Sequence, residues 1–217
     1  MDTFDVIKSR RSIHSFKDKK IPDEILYAIL DAGHCAPAAG NITNWRFLIV
    51  ESEESKKAIA KAALGQYWMI QAPIIVIVCS ESSSRLQEFG GRGEKLYSVQ
   101  NVAAAIENIL LAAHNFGVSS CWVGAFTEPN LRKEFRIPDY VEIHAIVPLG
   151  YSNDKPRAPS RPAFTDVLHF GAYGESERHF PSLRSHATSA REKLTAKAKR
   201  VLKSASEKVK KKIKRKK

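Results

Sequence analysis

Arg10-Arg11-Ser12-Ile13-His14-Ser15-Phe16 stands before an amphipathic helix, and Ala36-Pro37-Ala38-Ala39-Gly40-Asn41 stands after it, leading into Trp45-Arg46-Phe47. The first segment gathers two guanidiniums, two hydroxyls and an imidazole, groups that pair with a phosphate and hydrogen-bond the polar edge of a ring. The second is made of small residues that let a backbone approach a flat group closely. Taken alone, the basic box reads equally well as a solvated loop.

Working outward, Pro22 suits a helix first turn, Asp23 and Glu24 suit its positive end, and Ile25, Leu26, Ile29 and Leu30 share one face until Pro37 ends the pattern. Upstream, Thr3 to Ser9 reads as a short helix. Trp45 to Val50 and Ile74 to Cys79 are branched, apolar runs that predict buried strands, with Ser52 capping a helix through Leu64 between them. Tyr97 to Phe116 is apolar nearly all round and closed by Gly117, which predicts a helix through the centre of the protein. Ser119 to Val123 and Val141 to Leu149 predict two further strands around a helix at Leu131 to Phe135. The fold class is therefore α+β, a central mixed or antiparallel sheet flanked by helices.

The formal charge of +12 belongs to one end of the chain. Residues 185–217 hold 14 Lys and Arg against Glu192 and Glu207, an excess equal to the whole net charge, so the body is neutral and its charge gives no reason to read it as a nucleic-acid surface. Residues 1–170 form the expected domain, 171–189 a Gly, Ser and His linker, and 190–217 a Lys-rich tail. In that tail Leu194, Ala198, Val201, Leu202, Ala205, Val209 and Ile213 recur at helical spacing. Such a basic amphipathic helix meets nucleic-acid phosphates, lies on an anionic membrane, or stays solvated.

Cys35, Cys79 and Cys121 are odd in number, widely spaced and set among apolar neighbours, which predicts buried free thiols in a reducing cytoplasm. The start of the chain lacks the basic and apolar regions of a signal peptide, and the apolar stretch Val102 to Ala113 is too short to span a bilayer. Gly90-Gly91-Arg92-Gly93 lacks the Lys-Ser or Lys-Thr of a phosphate loop and reads as a loop. There is no Gly-x-Gly-x-x-Gly, no Gly-x-Ser-x-Gly and no histidine pair at metal-ligand spacing; His34, His114 and His144 read as structural. Trp45 and Trp122 suit core or ring-adjacent packing, and Tyr67 and Trp68 suit packing or a pocket border.

The box, the helix, the small-residue loop and the strand that starts at Trp45 resemble, in this order and spacing, the FMN-dependent nitroreductase family, with Arg-Arg-Ser-x-Arg-x-Phe followed by Ala-Pro-Ser-x-x-Asn-x-Gln-Pro-Trp. The resemblance continues through Asn108 to Gly117, Cys121-Trp122-Val123-Gly124-Ala125-Phe126, Val147 to Tyr151 and Arg161-Pro162-Ala163-Phe164. It implies a nitroreductase-like fold, an intertwined homodimer, and FMN in two sites each built from both subunits. It implies that Arg10 and Arg161 hold the phosphate, that Arg11 belongs to the cofactor site, and that Ser12 and His14 meet the ribityl chain and pyrimidine edge. Pro37, Ala38, Ala39 and Asn41 would come from the other subunit, and Val123, Gly124 and Ala125 would lie along the ring with backbone groups near N5.

The implied activity is an NAD(P)H oxidoreductase that passes hydride from NADH or NADPH through flavin N5 to a small-molecule acceptor, a nitroaromatic, a quinone or similar, by a ping-pong cycle without a side-chain nucleophile. Relatives of the family perform reductive dehalogenation, and the Ser80 to Lys95 loop is where a substrate lid would differ. This chain departs from the pattern at His14 (Arg or Lys in the family), Ala38 (Ser), and Thr43-Asn44 (Gln-Pro).

Overall fold

The computed structural model describes residues 1–81 and 84–175. Two compact units divide the chain at Pro159/Ser160. The basic tail and most of the expected linker lie outside the described residues.

The first unit opens with α1 (Thr3–Ser9), whose first turn is capped by Asp2 accepting from the Phe4 N–H. Helix α2 (Asp23–His34) begins one residue later than its sequence suggests, with Pro22 at the cap, and buries Leu26, Ile29, Leu30 and Gly33. Ile25 packs half-buried against the same core, and Gly33 continues the buried face. A Cβ there would lie 2.6 Å from Ile109 Cγ1, so its absence lets α2 press against the central helix. Strand β1 (Trp45–Val50), helix α3 (Glu53–Ala62) and strand β2 (Ile74–Glu81) follow. Ser52 caps α3 as expected by accepting from the Ser55 N–H, but the helix stops at Ala62 because Leu64 and Gly65 turn left-handed.

The Gly90–Gly93 segment is not the loop that was expected. After a short α4 (Ser84–Gln87), the chain turns through Gly90 and becomes helical at Gly91, passes through a π turn (Gly93–Tyr97), and runs into α5 (Ser98–Asn115). From Gly93 to Asn115 the helix has the length and mean hydropathy to cross a bilayer, longer than the apolar stretch alone suggested. Its packing is that of a core helix, with Val102, Ala105, Ile106, Ile109 and Leu110 buried along one face. The burial is a stripe and not all round: Val99 remains exposed.

Strand β3 covers only Ser119–Ser120, then α6 (Glu128–Phe135) leads to β4 (Val141–Gly150). The expected strand to Val123 is interrupted at Cys121 and Trp122, and Val123 rejoins the sheet through one bridge to Ile146. The sheet order is β1-β2-β4-β3, antiparallel throughout. Ser12 adds a parallel bridge to Ser120, which places the basic box along the β3 edge.

Buried on both sides, β2 divides the interior. Ile74, Val76 and Val78 join Ala145, Val147 and Leu149 against α2 and α5, while Ile75, Ile77 and Cys79 join Ile143 and Ile146 against α3 and α6. A β-bulge sets the phase of β4: Val78 faces Ala145 but Cys79 faces Ile143, so His144 is the extra residue.

In the second unit Ala163 precedes a short 3-10 turn (Phe164–Val167), and its N–H donates to Asp166 Oδ2 at 3.2 Å.

Candidate active site

Because α1 ends at Ser9 and Arg10 caps it, the basic box leaves the helix as extended chain and docks on the sheet edge. The Ile13 N–H donates to the Ser120 carbonyl at 3.1 Å, and the Lys17 N–H to the Tyr151 carbonyl at 2.7 Å. Ile13 and Phe16 turn inward onto Ala72 and Trp68, leaving Arg10, Arg11, Ser12 and His14 at or near the surface.

Around the start of the box lies a cavity of about 270 Å³, bordered by Arg10, Arg11, His114, Ser119, Asp154 and Lys155. Arg10 Nε is 3.9 Å from Glu107 Oε1, a loose pair with the carboxylate half exposed. Arg11 is tied back by its Nη1, which donates to the Lys8 and Arg10 carbonyls. His114 sits 2.7 Å from Ser9 Oγ, and since that hydroxyl donates to the Asp5 carbonyl, the imidazole Nε2 is the donor. Burial, then Arg10 and Arg11, hold the His114 pKa below its ordinary value. The cavity's positive charge is therefore carried by Arg10, Arg11 and Lys155.

At the other end of the box, His14 Nε2 lies 3.4 Å from Cys121 Sγ, and its ring stands edge-on to Trp68 at 4.4 Å between centroids. Burial pushes the Cys121 thiol up, with the Ser12 side chain and Arg10 pulling the other way. Ser12, His14 and the segment from Cys121 onward are thus brought together. Val123 spends both backbone groups on Ile146, at 2.9 Å each way. Gly124 and Ala125 are exposed; a Cβ on Gly124 would meet nothing within 4 Å, and the Ala125 carbonyl accepts from Gln66 Nε2 at 3.4 Å.

Pro37 and Asn41 are exposed and Ala38 and Ala39 half-buried in a 3-10 turn (Ala39–Asn41) where Gly40 and Asn41 are both left-handed, at φ of 58° and 55°. Arg161 belongs to the second unit, where it is exposed two residues before the Ala163 cap.

Several participants escaped the sequence reading. Lys155, Asp154 and His114 border the cavity, but nothing in their spacing announces it, whereas Trp68, expected in packing or at a pocket border, backs His14. Of the three histidines expected to be structural, His34 accepts from Trp45 Nε1 and the others bond serines. Cys35 corrects the expectation of three buried thiols, being exposed where α2 ends. Alkylation of the native protein followed by mass spectrometry should therefore label Cys35 first. Cys79, buried and pushed up to about 11, and Cys121 should react only after unfolding; native-state labelling of Cys79 at the Cys35 rate would contradict this burial. Among the described residues no cluster of His, Cys, Asp or Glu forms a metal site.

The Nitroreductase family pattern matches residues 7–68 and 62–151. The chain belongs to the Nitroreductase family. A protein of Methanothermobacter thermautotrophicus named as an NADH dehydrogenase/NAD(P)H nitroreductase is 34% identical, over 72% of this chain and 80% of its own length. An FMN reductase [NAD(P)H] of Bacillus subtilis is 27% identical, over 71% of this chain and 70% of its own. Among solved structures, a nitroreductase family protein from Clostridium novyi NT superposes with a TM-score of 0.65 at 28% identity, covering 82% of this chain and 97% of that one. The matched region takes in the basic box, the small-residue turn, Val123 to Ala125 and the end of β4, so the parts assembled above are parts of the nitroreductase domain.

Proposed function

We propose that this nitroreductase is a cytoplasmic, homodimeric, FMN-dependent NAD(P)H oxidoreductase that reduces a nitroaromatic, quinone or similar acceptor in a ping-pong cycle. The observation that carries the reading is the Ser12–Ser120 bridge with the His14–Cys121 contact, which seats the cationic box against the segment that runs on to the exposed Gly124-Ala125. The groups present fit FMN: Arg10 and Arg11 border a cavity suited to a phosphate, and Gly124, exposed and without a Cβ, lets a flat group approach its backbone closely. When bound, FMN supplies the hydride acceptance and donation that side chains lack.

The protein's part is binding and orientation. Arg10 and Arg11 hold the phosphate through charge-assisted hydrogen bonds, the role that the resemblance also gives to Arg161. Ser12 and His14 meet the ribityl chain and the pyrimidine edge, where a cation favours the reduced, anionic state. Since Val123 has no backbone group to spare, contacts to the ring edge fall to Gly124 and Ala125. The turn carrying Pro37, Ala38, Ala39 and Asn41 completes the site of the second subunit. Exposed apolar side chains on α1 and α5, among them Phe4, Ile7 and Val99, support a subunit interface.

Purified protein should be yellow, or become so with added FMN, and lose that colour on anaerobic addition of NADH or NADPH. A colourless protein that cannot be reconstituted overturns the proposal.

A further inference from the structure

Behind the 36–44 loop runs a series of buried polar side chains that none of the roles above uses. Asn44, Ser80, Ser98 and Asn101 are all less than a tenth exposed. Asn101, on α5, spans the turn: its Oδ1 accepts from the Ala39 N–H at 2.8 Å, and its Nδ2 donates to the Ile42 carbonyl at 3.2 Å and to Asn44 Oδ1 at 3.1 Å. A backbone donor on one side and a backbone acceptor on the other leave its amide one orientation. Everything downstream inherits that direction. Asn44 Nδ2 donates to Ser98 Oγ at 2.7 Å, the Ser98 hydroxyl donates to Ser80 Oγ at 3.1 Å, and the Ser80 proton is left for His144 Nε2 at 2.7 Å.

His144 can receive that proton only as a neutral imidazole protonated on Nδ1. The bulge that makes it the extra residue of β4 turns it toward Ser80. If Nε2 gained a proton it would become a donor to Ser80, and the Ser80 proton would lose the acceptor that completes the series. The charged and titratable groups around it are Glu142 on its own strand, 3.9 Å away, Glu128 on α6, which is paired with Arg132, and Glu94, Lys95, Asp139 and Tyr140 bordering the cavity beside Ser80 and Ser98.

We infer that Asn101 and Asn44 are positioning residues for the flavin site: they lock the Ala39–Ile42 turn in the shape that meets the cofactor, and the lock closes fully only while His144 is neutral. This rests on the reading that the turn meets FMN. Asn44 stands where the family pattern has Pro, a residue without a side-chain amide to make this link. Burial holds the His144 pKa below its ordinary value of 6.5 despite the pull of Glu142 and Glu128, so the lock is intact above that pH and opens as pH falls beneath it.

The test measures FMN affinity of the full chain by quenching of flavin fluorescence, for wild type, Asn101→Ala and His144→Gln. Glutamine keeps an acceptor for Ser80 but does not titrate. Losing one such bond corresponds to about a fivefold change. Asn101→Ala should bind FMN about fivefold or more weakly. Wild type and His144→Gln should bind alike at about pH 8, and wild type should fall progressively behind, by up to about fivefold, as the pH is lowered and His144 becomes protonated. Every other group is common to the two proteins, so the ratio isolates His144.

Wild-type affinity in Asn101→Ala, or a ratio flat with pH, overturns the inference while leaving the FMN reading intact. Should Asn101→Ala fail to fold, the His144→Gln ratio decides. A wild type that takes no FMN overturns the functional reading instead, and hydrogen exchange at the Ala39 amide then settles the lock. Protection lost on acidification in wild type but kept in His144→Gln supports it, and equal loss in both removes it.

Discussion

Arg10→Ala is expected to lower FMN affinity by roughly 10- to 150-fold, the loss of about 1.5–3 kcal/mol carried by a hydrogen bond between charged groups. Three features make Arg10 the residue to remove. It borders the cavity, its side chain is largely buried, and its contact to Glu107 at 3.9 Å is too long and too solvated to compete strongly with a bound phosphate. Arg11 is engaged by two backbone carbonyls and should cost less when truncated. Arg10→Lys keeps the charge but loses the planar fork, so it should lie between wild type and alanine. The check is flavin content after gel filtration together with titration of the apoprotein. Unchanged flavin retention in Arg10→Ala would remove the phosphate role, whatever the catalytic rate.

Ile106→Ala is expected to have the largest effect on stability, about 2–5 kcal/mol, because the side chain is fully buried in the centre of α5 and its removal opens a cavity between that helix and the sheet. For a domain of this size each kcal/mol moves the thermal midpoint by about 2–4 °C. Thermal unfolding followed by circular dichroism measures it. A midpoint within about a degree of wild type would mean that α5 is not the helix around which the core is built. The two variants separate binding from folding: Arg10→Ala should leave the melting of the apoprotein nearly unchanged, whereas Ile106→Ala should lower it with or without FMN.

Much of this architecture was legible in the sequence because its signals are local. Ser52 caps α3 and Gly117 follows the end of α5 as read, and the apolar runs in β2 and in the second half of β4, from Ala145, name strands covered on both sides. The misread places are those where a distant contact overrides a local pattern. Gly90 to Gly93 has loop composition, yet a Cβ on Gly93 would lie 1.8 Å from the Leu86 carbonyl oxygen, so glycine here serves a close backbone approach inside a helical run. Ser119 to Val123 has strand composition, but its middle is diverted, with Cys121 placed against the box and the ladder resumed by Val123.

The site divides in the same way. Arg10, Ser12 and Gly124 stand out as residue types, and their juxtaposition could be expected through resemblance to a family. The amide series behind the turn could not, since Asn44, Ser80, Ser98, Asn101 and His144 are ordinary residues scattered over a loop, β2, α5 and β4 and joined only by the fold. No local periodicity encodes a hydrogen bond between residues 57 or 64 positions apart.

The docking of the box on β3 also fixes an order of events in the making of the protein. His14 meets Cys121 across 107 residues of chain, and Ser12 meets Ser120 over a similar span, so closing this contact carries a large loop entropy and gains nothing until α5 and β3 exist. The helices can form as the chain emerges from the ribosome, but the anion cavity cannot. Cofactor capture is therefore a late event, and a nascent chain stopped before Ser120 would carry every arginine of the box and still have no pocket in which to use them.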